Sequence, residues 1–152
     1  MNSTAYISNS GEYTGGIQGY QNTGKMINCR NEGRISGVLT VGGIAGYSRQ
    51  GAMLNNCINV GEIYSTGDRV GGIVGFLDAY SFENFNTSLR NCINLGKVTT
   101  SSSTMYIGGI CGYNMSTLEN CYWLNDRSSG IDMPKGIGVD GGVSSGNSAL
   151  TA

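Results

Sequence analysis

The sequence predicts an all-β chain folded as a right-handed parallel β-helix, a β-solenoid with about four coils of about 28 residues each. Three observations lead to this prediction: a block that recurs four times, a composition that disfavours helices, and short apolar segments bounded by Gly and Asn. Glycine accounts for 26 of the 152 residues and only one residue is proline. Gly, Asn, Ser and Thr favour turns over helix interiors, so the composition argues against a helical fold.

The recurring block begins with Gly-Gly-Ile-x-Gly followed by Tyr or Phe, and its four copies start at Gly15, Gly42, Gly71 and Gly108. Each copy is followed by an Asn-Cys pair: Asn28-Cys29, Asn56-Cys57, Asn91-Cys92 and Asn120-Cys121. In the first three copies an Asn-x-Gly comes next, starting at Asn31, Asn59 and Asn94, and then an apolar residue, Ile35, Ile63 or Val98. Agreement at several positions in four copies indicates a true structural repeat.

Each copy offers three short β-type segments, none of them long enough for a helix. A segment with a single apolar row cannot bury that row alone, whereas coils stacked about 4.8 Å apart bury it continuously. The long, unequal coils and the known preference of parallel crossovers favour the right-handed form. Two rows are expected in the core: Ile17, Ile44, Ile73 and Ile110, and Met26, Leu54, Leu89 and Leu118.

The predicted domain organisation is a repeat domain over residues 1–126 and a glycine-rich closing tail or connector over 127–152. The coils lie near 6–31, 32–59, 60–94 and 95–126. Tyr6 and Ile7 match the third segment of a coil that would precede the first. We therefore expect the chain to be a fragment, with the rest of its parent chain at both ends.

The pattern Gly-Gly-Ile-x-Gly-[Tyr/Phe], then Asn-Cys, then Asn-x-Gly-x-[Ile/Val], resembles the GLUG repeat of bacterial surface proteins. That family includes adhesins and some immunoglobulin-A-cleaving peptidases. The resemblance covers about residues 6–126 and implies a right-handed β-helix of pectate-lyase-like architecture that works outside the bacterial cell. The fourth copy departs from the pattern, because Trp123 and the residues after it replace Asn-x-Gly, and there it looks like a sequence that closes such an array.

Several function classes find no support in the composition. The net charge is −1, so no basic surface indicates nucleic acid. No apolar run approaches the ~20 residues that span a bilayer, so we expect no membrane insertion by this fragment. The chain has no histidine, and its ten acidic residues are scattered. We therefore expect a non-enzymatic protein with no catalytic residues, no metal site and no cofactor.

The four cysteines of the Asn-Cys pairs occupy one repeat position and should form a straight row. Four thiolates in a row do not converge on a tetrahedral zinc, and a nucleophilic cysteine needs a base such as histidine. The favoured interpretation is a row of buried free thiols. Disulfides between neighbouring coils remain an alternative, although parallel side chains would strain such a bridge.

The aromatic residues are the candidate binding residues. Strand alternation places Tyr20, Tyr47, Phe76 and Tyr113 in a row on the outer face, where they either contact a ligand or cover the backbone of their own coils. Residues 77–88 form an extra segment that the other coils lack, and loops that interrupt a repeat often carry function. The binding candidates are Tyr80, Phe82 and Phe85 in this loop, with Tyr47 and Phe76 alongside.

The sequence favours a non-catalytic repeat module of a secreted or cell-surface bacterial protein, serving adhesion or acting as a structural stalk. The alternative is a β-helix that binds a host glycan or surface protein through the aromatic row and loop 77–88. A degenerate polysaccharide-acting enzyme is a third hypothesis, but the chain shows no paired carboxylates of the kind that glycoside hydrolysis uses.

Overall fold

The structure of the chain, a computed structural model, describes residues 1–79, 86–103, 106–124 and 136–150. These residues form strands and turns and no helix, which confirms the all-β prediction. No helix in the described ranges is long and apolar enough to cross a membrane.

Twenty-four short strands pair in parallel in five ladders that run along the axis of the solenoid. Ladder A contains β1 Asn2–Ser3, β6 Arg30–Asn31, β11 Ile58–Asn59, β16 Ile93–Asn94, β21 Tyr122–Leu124 and β24 Ser148–Leu150. Ladder B contains β2 Ile7–Ser8, β7 Ile35–Gly37, β12 Ile63–Ser65 and β17 Val98–Thr100. Ladder C contains β3 Tyr13–Gly15, β8 Thr40–Gly42, β13 Arg69–Gly71 and β18 Ile107–Gly108.

Ladder D contains β4 Gln18–Gln21, β9 Ala45–Ser48, β14 Val74–Leu77, β19 Cys111–Asn114 and β22 Ile137–Asp140. Ladder E contains β5 Lys25–Ile27, β10 Met53–Asn55, β15 Ser88–Arg90, β20 Thr117–Glu119 and β23 Val143–Ser145. Every pairing joins a strand to its counterpart one coil away, as Ile63 pairs with Ile35 and Val98. The chain is therefore a parallel β-solenoid of about five turns with about 28 residues per turn.

The structure differs from the sequence analysis in the number of strands per coil and in the extent of the stack. Each full coil has five strands rather than three segments, and the two additional strands are those of ladders A and C, each two or three residues long. Residues 137–150, assigned to a tail, add β22, β23 and β24 to ladders D, E and A. They form a partial fifth coil.

The core follows the repeat, as expected. Ile44, Ile73 and Ile110 are completely buried in one row, and Leu54, Leu89 and Leu118 in another. Their counterparts in the first coil are less enclosed, since Ile17 is only partly buried. A second, smaller cluster packs the apolar residues of ladders B and C, among them Ile35, Val41 and Val70.

Candidate functional site

The Asn-x-Gly motif forms a buried ladder of amides in ladder A. The Nδ2 group of Asn31 donates a hydrogen bond to Oδ1 of Asn59 at 2.7 Å, and Nδ2 of Asn59 donates to Oδ1 of Asn94 at 2.8 Å. Each amide also donates to the carbonyl oxygen two residues on, as Asn59 does to Gly61 at 2.9 Å. Because all three side chains are almost fully buried, these bonds supply the partners that buried amides require.

The second glycine of the first three Gly-Gly pairs lies directly against this amide ladder. A Cβ atom at Gly43 would overlap the side chain of Asn59 and the carbonyl oxygen of Gly72. A Cβ atom at Gly72 would overlap Asn94 in the same way. The Gly-Gly and Asn-x-Gly motifs are therefore two halves of one packing arrangement, in which glycine admits the close approach of the amide.

The Asn-Cys pairs turn the chain between ladders E and A. The asparagines Asn28, Asn56, Asn91 and Asn120 all adopt left-handed backbone conformations, with φ between 53° and 56°. Asparagine tolerates this region better than most residues. These four side chains are exposed, in contrast to the buried amides of the Asn-x-Gly motif.

The cysteines of these pairs are buried free thiols, which confirms the favoured interpretation over disulfides. Every thiol in the row donates to the carbonyl oxygen two residues earlier, from Cys92 to Arg90 at 3.2 Å and from Cys121 to Glu119 at 3.3 Å. The Sγ of Cys92 also accepts a hydrogen bond from the backbone N–H of Cys57 at 3.4 Å. The row thus caps the turn that the left-handed asparagine creates.

Burial and mutual hydrogen bonding set the acidity of the thiols. Hydrogen bonds to Cys121 and Cys57 raise the pKa of Cys92, because the protonated form is the donor. The hydrogen bond from Cys92 lowers the pKa of Cys57 against the opposing effect of burial. Burial raises the pKa of Cys111, which lies outside the row. Since all five thiols are enclosed in the core, we assign them a packing role.

Six aromatic rings on or next to the strands of ladders C and D contact one another in a continuous row on the outer surface, and we call this row the aromatic band. Its members are Tyr13, Tyr20, Tyr47, Phe76, Tyr113 and Tyr106. Ring centroids of neighbouring members are 4.9–5.3 Å apart. The guanidinium of Arg69 lies 5.0 Å from the centroid of Phe76 and 5.9 Å from that of Tyr106. The predicted row is therefore real, but its rings contact one another.

The predicted binding residues fall into two groups. Tyr80, Phe82 and Phe85 lie outside the described residues. Tyr47 is only 8% exposed, and its hydroxyl donates to Oδ2 of Asp78 at 2.5 Å. Burial and this hydrogen bond raise the pKa of Tyr47. Phe76 is half-buried, stacks on Tyr113 and contacts the ring of Tyr47 at a tilt.

The sequence analysis missed the contribution of ladder C to the band. Tyr13, Thr40, Arg69 and Tyr106 occupy the same position in successive coils. Thr40 is the one small residue in this column, and a cleft of about 170 Å³ opens beside it. The cleft is lined by Glu12, Tyr13, Leu39, Thr40, Asp68 and Arg69. This column does not repeat one residue type. Only the register of strand pairing between coils could have revealed that these residues align.

A larger cavity of about 440 Å³ lies at the fifth coil, where the inward residues become small or polar. Ser144 stands one coil above Leu118, and the side chain of Asn147 accepts a hydrogen bond from the backbone N–H of Cys121 at 2.8 Å. Trp123 lines the same cavity, and its ring packs against Gly109 and Gly136 in place of the next amide of the ladder. The cavity exists because the small and polar side chains of the partial coil do not fill its interior.

Within the described ranges, no group of three or more His, Cys, Asp or Glu side chains is arranged to hold a metal ion. Comparisons of the chain with family models, with curated proteins and with solved structures found no match.

Proposed function

We propose that the chain is a non-catalytic GLUG-type repeat segment of a secreted or cell-surface bacterial protein, and that it acts as a rigid spacer in an adhesin-like stalk. The observation that carries this proposal is the amide ladder from Asn31 through Asn59 to Asn94. It links three coils by side-chain hydrogen bonds in addition to the backbone ladders, which is a means of resisting bending and separation of the coils.

The other repeated residues support the same proposal. The cysteines hydrogen-bond to the backbone of their own turns, and the paired glycines contact the amide ladder. Most rings of the aromatic band are covered by each other, and Tyr20, at 38%, is the most exposed of them. These repeated side chains contact neighbouring coils of the same solenoid, and such contacts stiffen the stack.

The second candidate function is the binding of a host glycan or surface protein, in which loop 77–88 would contact the ligand. Leu77 and Ser88 at its ends are buried strand residues, so the loop leaves and re-enters the solenoid at fixed points. Replacing Tyr80, Phe82 and Phe85 together with Ser, and comparing attachment to mucin and to a glycan array, tests this function. Equal attachment by both proteins would remove the loop from consideration.

The spacer proposal is tested by pulling the chain from its two ends in a single-molecule force experiment. A solenoid whose coils contact only their neighbours should yield one coil at a time. Release of about 28 residues should lengthen the chain by about 90–100 Å per step. Smooth extension at low force, without steps, would contradict a load-bearing spacer.

A further inference from the structure

The cleft beside Thr40 lies at the one position of its column that carries neither an aromatic ring nor a guanidinium. Along ladder C, Tyr13 and Arg69 stand on strands two coils apart, about 9.6 Å at the usual strand spacing, with Thr40 between them. The equivalent position carries a tyrosine in the first and fourth coils. Thr40 itself is only 2% exposed, so it contributes to the floor of the cleft, with Tyr13 and Arg69 among the residues around it.

The chemistry around this cleft combines apolar and polar groups. Tyr13 and the exposed side chain of Leu39 supply apolar surface. The carboxylates of Glu12 and Asp68 supply hydrogen-bond acceptors, and both residues are exposed. Arg69 is half-buried and supplies N–H donors through its guanidinium.

We propose that this cleft binds a single uncharged sugar ring. A pyranose has an apolar C–H face, which packs on aromatic rings, and a rim of hydroxyl groups, each of which donates and accepts hydrogen bonds. Carboxylates and a guanidinium around an aromatic wall match that rim with charge-assisted bonds. Two carboxylates against one guanidinium leave the cleft with a net charge of −1, which disfavours sulfated or acidic sugars.

The small volume limits the affinity. A cleft of about 170 Å³ holds one ring and is smaller than typical drug-sized pockets of roughly 300–1,000 Å³. We therefore expect a dissociation constant on the order of 1 mM, equivalent to about −4 kcal/mol. Useful avidity would come from many copies on one surface. The inference goes beyond the spacer function and is independent of it, since a stiff solenoid requires no ligand.

The test is an NMR titration of the whole chain with the methyl glycosides of glucose, galactose, mannose and N-acetylglucosamine, each alone, and with glucose 6-sulfate. We expect at least one neutral glycoside to perturb the signals of Tyr13, Leu39 and Thr40 at millimolar concentrations. The sulfated sugar should bind more weakly. Perturbation of these signals by none of the neutral glycosides would overturn the proposal.

Variants locate the site. The double change E12Q/D68N should weaken binding at least tenfold, whereas E32Q, the same chemical change at an exposed residue outside the cleft, should leave it unchanged. Thr40→Tyr adds a bulky ring at the floor of the cleft and should abolish binding. Retained methyl signals of the core isoleucines establish that each variant is folded. Undiminished binding by folded E12Q/D68N would refute this location, and a shift of the same signals by N-acetyltyrosinamide in preference to every sugar would indicate a protein partner instead.

Discussion

Asparagine has two distinct roles in this chain, and its backbone conformation separates them. Asn56 has a φ of 56° and an exposed side chain, so its contribution is to turn the chain. Asn59, three residues later, is fully buried and hydrogen-bonds to amides in the coils on either side. Both asparagines recur in the sequence repeat. Only Asn59 hydrogen-bonds to buried groups that would be left without a partner if its side chain were removed.

This difference predicts unequal effects of mutation. Asn59→Ala removes the acceptor of Asn31 and a donor to Asn94, and it frees the carbonyl oxygen of Gly61. Leaving buried polar groups unpaired should lower the free energy of unfolding by roughly 2–5 kcal/mol. Asn56→Gly is the matched control and should change it by less than about 0.5 kcal/mol, because glycine adopts positive φ freely. Urea denaturation measures both, and similar losses in the two variants would contradict the assignment.

The buried thiol of Cys111 predicts a dependence of stability on pH. Burial raises its pKa, so the folded thiol stays protonated where the unfolded one, with a pKa of about 8.5, ionises. Unfolding then releases a proton, and the contribution of Cys111 to stability is complete below about pH 8.5 and declines as the pH rises above it.

Cys111→Val isolates this effect, because Val74 fills the equivalent position one coil away. The free energy of unfolding, measured from pH 7 to pH 10, should fall less steeply above about pH 8.5 in the variant, by up to about 1.4 kcal/mol per pH unit. The other cysteines and Tyr47 are common to both proteins and cancel in the comparison. Identical slopes would show that Cys111 does not retain its proton in the fold.

Within each of the first three coils, the turn between ladders C and D depends on the close contact between a glycine and the buried amide of an Asn-x-Gly motif. A methyl group at Gly43 would meet the side chain of Asn59 and the backbone of the next coil, neither of which can yield without breaking a ladder. Gly43→Ala should therefore destabilise the protein by about 1–3 kcal/mol or more. Gly141→Ala, where the added atom has only ordinary contacts, is the control and should be nearly neutral. A neutral Gly43→Ala would show that coils separate easily at this turn.

Elements with a repeated residue type were predictable, and elements defined only by register were not. The rows that contain Ile73 and Leu89 repeat in every copy, and the structure buries both residues completely. The column of Tyr13, Thr40, Arg69 and Tyr106 has no residue in common beyond two tyrosines, so its alignment with the aromatic band emerged only from strand pairing.

The same reasoning explains the fifth coil. Ile137 pairs with Cys111, and Val143 with Thr117, without the Gly-Gly-Ile or Asn-Cys motifs that marked the earlier coils. Trp123 pairs with Asn94, and its large ring occupies the position that an asparagine side chain occupies in the earlier coils. Packing against an existing edge imposes the β-solenoid path on residues whose own sequence carries little periodic signal.

The molecule is one continuous stack of coils, so the distance between two points along its axis is set by the number of coils between them. Ladder A spans it from β1 to β24, and Asn2 and Ser148 are exposed residues near its two ends. Five pairings separate them, through Arg30, Ile58, Ile93 and Tyr122.

The most direct test is the distance between spin labels on Asn2→Cys and Ser148→Cys, measured by pulsed electron paramagnetic resonance. The native cysteines are buried, so the folded protein should take up label at the two introduced sites. Five spacings of about 4.8 Å place the two Cα atoms about 24 Å apart. The account predicts a single narrow distribution near that value once the length of the label linkers is included. A broad distribution, or one centred well beyond this distance, would contradict a rigid solenoid.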